Sequence, residues 1–112
     1  MSTESGLQGI LRTLGLAKRA GKLICGVPLV CDSLRKKDKP VLTVLAGKAS
    51  DNSQKRISDK CAYYDVKLLV LPCSPEELGH AVGSSGSVAA LALIDAGLAS
   101  LVRSQFEKSI EP

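Results

Sequence analysis

Four short apolar runs, Leu23–Cys25, residues 41–46, Lys67–Leu71 and residues 88–94, are separated by longer stretches whose apolar positions recur every three or four residues. That switching restricts the fold more than any other feature of the chain. Short apolar strands need cover on both faces, and the helical stretches between them are the material that supplies it. The pattern predicts an α/β domain, a three-layer α-β-α sandwich with a single mixed sheet of about four strands.

The helices can be read individually. Between residues 6 and 20, Leu7, Ile10, Leu11, Leu14 and Ala17 form one stripe, and Gly21 closes the helix. Residues 1–5 are polar and are expected to be flexible, with one domain over 6–112. A second helix follows Gly26 with Val27, Val30 and Leu34 inward, fades through Arg35-Lys36-Lys37-Asp38-Lys39 and stops at Pro40. Ser50 or Asp51 caps a third, with Ile57, Cys61 and Tyr64 on one face. Ser74-Pro75-Glu76-Glu77 combines an N-cap serine, an early proline and a capping-box glutamate, and carries Leu78, Ala81 and Val82 inward. Asp95 caps the last helix, with Leu98, Leu101 and Val102 inward.

A chain of 112 residues makes one core. Tyr63, Tyr64 and Phe106 are its only aromatics, so base stacking on aromatic platforms is poorly supported. Charge is divided unevenly. Residues 1–60 hold 12 Lys/Arg against 5 Asp/Glu, a net +7, and residues 61–112 hold 3 against 6, a net −3. Either a chance distribution or a basic face directed at RNA or DNA would give that split.

Catalytic and metal chemistry find little support. Cys25, Cys31, Cys61 and Cys73 form no CxxC pair, and the lone His80 is remote from them in sequence. Small buried hydrophobes are the better reading of the thiols. Neither phosphate-loop nor HExxH motifs occur, nor paired carboxylates in a recognisable frame. No enzyme, no metal and no cofactor are expected. Without a signal peptide or membrane-length apolar run, the chain reads as cytoplasmic, away from membranes and with reduced thiols.

The stretch Leu14-Gly15-Leu16-Ala17-Lys18-Arg19-Ala20-Gly21-Lys22 runs into the strand Leu23–Cys25 and then Gly26. Lys18, Arg19 and Lys22 are expected beside the backbone turn that opens the next helix, where N–H groups favour anions. Taken alone, they read equally as the cationic last turn of a helix. Arg35, Lys36, Lys37 and Lys39 read as a solvated helix end, Lys55, Arg56 and Lys60 as a solubilising face, and His80 as a surface residue.

Further stretches add to this one: Ala49-Ser50-Asp51-Asn52-Ser53, Asp59-Lys60-Cys61-Ala62-Tyr63-Tyr64, Glu77-Leu78-Gly79, residues 88–94, and Asp95-Ala96-Gly97-Leu98-Ala99. In that order, over about 90 residues, the chain resembles the ribosomal protein L-seven-Ae superfamily, which includes the L-thirty-e proteins, and more closely its small bacterial YlxQ-like branch. The resemblance implies non-catalytic binding of structured RNA, typically a kink-turn, by a ribosomal or ribosome-associated protein that is a monomer when free. Its partners would be ribosomal RNA and ribosomal proteins.

In that family two loops converge on the RNA. They correspond here to Gly26, Val27, Pro28 and Leu29, and to Gly83, Ser84, Ser85, Gly86 and Ser87. Lys18, Arg19 and Lys22 would add attraction, as would Lys48, which stands where relatives often carry an acid. The chain departs from the pattern at the first loop. Strong kink-turn binders follow the glycine with a small residue, an asparagine and a glutamate, with a lysine one turn on. Pro28, Leu29 and Asp32 take those places, which removes both polar readers of base edges. What remains is shape, backbone and van der Waals contact. The competing expectation is a protein-interaction module on a ribonucleoprotein, docking through the apolar tip Val27, Pro28 and Leu29.

Overall fold

A computed structural model of the chain describes residues 3–109, with side chains from 6 to 108. The elements run α1 (Thr3–Arg19), β1 (Leu23–Cys25), α2 (Val27–Leu34), β2 (Leu42–Ala46), α3 (Asp51–Tyr64), β3 (Lys67–Leu71), α4 (Pro75–Ala81), β4 (Ala90–Leu93) and α5 (Ala96–Ser109). Helix α1 opens at Thr3, before the start the apolar stripe suggested. Of the start expected to be flexible, residues 1 and 2 lie outside the described residues.

The four strands form one mixed sheet in the order β1-β4-β2-β3. β4 is antiparallel to both β1 and β2, while β2 and β3 are parallel. Every residue of β2 and β4 is buried, as central strands covered on both faces must be. Helix α1 packs with α4 and α5, and α2 packs with α3, so two helical layers enclose the sheet. Ile10, Leu14, Leu34, Leu45, Ile57, Leu78 and Leu91 are among the side chains filling the two interfaces. The result is the three-layer sandwich expected from the alternation of strand and helix.

Local signals explain most boundaries. The Ser50 hydroxyl accepts the Ser53 N–H at 3.2 Å and starts α3. Ser74 and Glu77 close a full capping box at the head of α4, with bonds of 3.1 and 3.0 Å. Asp95 Oδ2 accepts the Leu98 N–H at 2.9 Å ahead of α5. Some expectations shift: β2 begins at Leu42, one residue after the apolar run, and β4 ends at Leu93, one residue before its run does. Leu101 is 48% exposed instead of inward, because α5 turns Ala99, Val102 and Phe106 to the core. The fourth strand begins at Ala90 because the Val88 N–H turns away to the Pro75 carbonyl at 2.9 Å.

Candidate nucleic-acid interface

Strand direction decides what comes together. β1, β2 and β3 run one way and β4 the other, so three strand ends, three helix starts and the loop before β4 share one edge of the sheet. Gly26 is the pivot of that edge. Its φ of 99° and ψ of 141° lie in a region that suits glycine alone among the residues. The Gly26 N–H donates to the Ala90 carbonyl at 2.9 Å, and its own carbonyl accepts from the Val30 N–H at 2.9 Å. One residue thus fastens the start of α2 to the start of β4.

Helix α2 begins without a side-chain cap, and Pro28 in its first turn carries no donor. Val27 is half-buried against the core, while Pro28 and Leu29 are exposed. The tip is therefore apolar, with few backbone donors.

Beside it, the turn after β2 is fixed through its backbone. The Gly47 N–H donates to the Leu71 carbonyl at 2.7 Å and the Lys48 N–H to the Cys73 carbonyl at 3.1 Å. Gln54 Nε2 donates to the carbonyls of Gly47 and Ala49, at 3.2 and 2.8 Å. The Lys48 side chain is exposed above this rigid turn. Its charge is felt by two neighbours. The Glu77 carboxyl is held below its usual range by hydrogen bonds with Ser74, with Lys48 assisting. The Cys73 thiol is pushed up to about 11, chiefly by burial and further by Glu77, against the pull of Lys48.

The loop Gly83, Ser84, Ser85, Gly86 and Ser87 is exposed throughout, yet anchored from below. The Ser84 N–H donates to the Gly79 carbonyl at 2.9 Å, and the Gly86 N–H to the Ser84 hydroxyl at 3.3 Å. Gly79 itself lies directly under Gly86, leaving no room for a side chain. With the Val88 bond to Pro75, α4 serves as the seat of this loop.

Lys22 does not join that edge, contrary to the sequence expectation. Lys22 precedes β1 and Gly26 follows it, four residues or about 13 Å apart at the strand rise. The Lys22 carbonyl accepts from the Ile94 N–H at 3.1 Å, at the far end of β4. A helix that ends where a strand begins is separated by that strand's length from whatever the strand leads into.

Lys18 faces a groove of about 800 Å³ along β1, which reaches Leu29 and is also lined by Arg35 and Lys36. From the sequence alone, Arg35 and Lys36 read as a solvated helix end. The missed signal is a matching of lengths: β1 advances about 10 Å, and the eight residues of α2 return about 12 Å, back to the level of α1's last turn.

The thiols offer no activated nucleophile at the edge or in the groove. Burial raises Cys25 and Cys61 above the ordinary thiol value, as it does Cys73, and Lys18 only partly offsets this at Cys25.

Comparison with known proteins places these observations in a family. The family model described as the ribosomal protein L7Ae/L30e/S12e/Gadd45 family matches residues 8–102. A relative named RNA-binding protein YlxQ, from Enterococcus faecium, is 33% identical over 104 residues, covering 93% of this chain and 97% of the relative. A second of that name, from Bacillus subtilis (strain 168), is 37% identical over 86 residues, covering 77% and 83%. Among solved structures, a Bacillus halodurans protein of unknown function superimposes with a TM-score of 0.78 at 26% identity, over 88% of this chain and 96% of the other. The Giardia lamblia 15.5kD RNA binding protein shares the fold, with a TM-score of 0.72 at 17% identity over 92% and 87%.

Proposed function

The chain belongs to the ribosomal protein L7Ae/L30e/S12e/Gadd45 family, and from that membership we propose that it binds structured RNA without catalysis. The target class is a kink-turn or a related bent RNA, met by a monomer in the cytoplasm in association with the ribosome. Ribosomal RNA is the intended partner, with ribosomal proteins as neighbours.

The observation that carries this reading is the bond from the Gly26 N–H to the Ala90 carbonyl. It holds the α2 tip in fixed relation to the strand that leaves the Gly83–Ser87 loop, so two jaws stand ready on one edge. Ordered in advance, they lose little conformational freedom on binding a bent duplex. Val27, Pro28 and Leu29 supply a surface for an opened base step, and Lys48 supplies charge beside them. Lys22, at the far end of β1, contributes only longer-range attraction, whereas Lys18 lines the groove that reaches Leu29, and Arg19 follows it at the end of α1.

The test is binding of a labelled kink-turn RNA and of an unkinked duplex of equal length, each at low and moderate salt. Preference for the kink supports recognition of backbone and shape. Equal, salt-sensitive binding reduces the function to a generic basic surface. A second reading rests on Leu29, 59% exposed beside Pro28: an apolar tip that docks on a protein of the ribonucleoprotein. Failure to bind either RNA would favour it, and docking of that kind barely responds to salt.

A further inference from the structure

β1 lies at the edge of the sheet. Its register with β4 sets Leu23 against Leu93, Ile24 against Ala92 and Cys25 against Leu91. The flanking bonds run from the Ile94 N–H to the Lys22 carbonyl and from the Gly26 N–H to the Ala90 carbonyl. In an antiparallel pair, alternate residues turn their backbone groups toward the partner strand. Lys22, Ile24 and Gly26 therefore face β4. Leu23 and Cys25 turn their N–H and C=O groups to the open side, where no strand of the described residues pairs with them.

That open side borders the groove of about 800 Å³. Its walls come from opposite helical layers, Lys18 from α1 and Arg35 and Lys36 from the turn that ends α2. Asp32 engages Arg35 at 2.6 Å, whereas Lys18 and Lys36 form no ion pair among the described residues. Leu29 adds an exposed apolar contact at one end.

We propose that this edge accepts an extended acidic segment of a partner protein as a fifth strand. A peptide backbone offers donors and acceptors together, matching both groups of Leu23 and of Cys25. Its side chains alternate between the two faces of the sheet, so neighbouring acids meet Lys18 on one side and Lys36 on the other. Phosphates offer acceptors only and leave the two carbonyls without donors. A second copy of β1 would bring like charges together across the joint, the usual obstacle at a lysine-flanked edge. The proposal does not rest on RNA binding, which stays with the strand-end edge; the two surfaces meet at Leu29.

The test is a titration of the ¹⁵N-labelled full chain with a pool of acetylated hexapeptides, adjacent glutamates set among valine, isoleucine and threonine, up to about 1 mM. Shifts and slowed exchange centred on the Leu23 and Cys25 amides are expected. N-methylation of the edge-facing peptide amides should abolish them, and Lys18→Glu with Lys36→Glu should weaken binding roughly tenfold. Absence of such shifts, or their survival after N-methylation, overturns strand addition even if the double variant proves unfolded. Stronger shifts of the same amides by duplex RNA assign the groove to nucleic acid. Their concentration-dependent protection without peptide assigns it to a second copy. Either result also overturns the proposal.

Discussion

A Cβ at Gly79 would collide with the Gly86 carbonyl oxygen and come within 3.1 Å of the Ser87 Cα. Both neighbours are backbone, so the loop itself has to move. Gly79→Ala should lower stability by about 1–3 kcal/mol, as overpacking does. At Gly9, a Cβ would meet only Gln105 Nε2 at 3.8 Å, in the middle of α1. Gly9→Ala should raise stability by about 0.5–1 kcal/mol through helix propensity. Urea unfolding of both variants is the check, and similar changes would refute the close approach at Gly79. No local pattern in the sequence distinguishes the two glycines, since the obstruction at Gly79 comes from a loop seven residues on. A second residue-scale expectation concerns pH. Cys73 has its value raised from 9.0 to about 11 in the folded protein, so the unfolded chain releases the proton first. Stability is retained below pH 9 and falls as pH rises from there to about 11. Cys61 and Cys25 push the same way. Thermal unfolding across that range should show a shallower decline in Cys73→Ala than in the parent.

Helix α4 is short, and its capping box holds its head against the turn that seats the Gly83–Ser87 loop. Ser74→Ala should cost about 1 kcal/mol. Because Pro75 holds the Val88 N–H and Gly79 holds the Ser84 N–H, the same change should speed hydrogen exchange at both amides. Exchange left unaltered there would mean that the loop does not depend on α4. Elements whose limits are set by their own residues were legible in the sequence: the capping box of α4, and β1 and β3 with both ends correct. Limits set by distant partners were not. Val88 has strand composition, but its N–H is taken by Pro75, and Leu101 is turned outward because α5 turns Ala99, Val102 and Phe106 to the core.

For the molecule as a whole, the basic residues of the first half are spread over separate regions. Lys48 stands at the strand-end edge, whereas Lys18, Arg35 and Lys36 surround the β1 groove. RNA affinity should fall steeply with salt, and Lys48→Glu should reduce the logarithmic slope by about one. Lys22→Glu, at the far end of β1, should leave the slope nearly unchanged. Equal effects of the two variants would mean that the RNA covers both ends of the sheet. The sequence revealed the amount of charge but not this division, because helix return and strand order decide where each lysine lies.

The sheet order has a further consequence, in the time domain of synthesis. β4 is the last made of the described strands, yet it lies between β1 and β2, which do not pair with each other. A growing chain that has reached β3 can join β2 to β3 but cannot attach β1 to either. Helix α1 likewise waits for α5. The domain therefore closes late, when the C-terminal part has emerged, and nascent chains stopped before residue 90 must leave the N-terminal elements without their sheet.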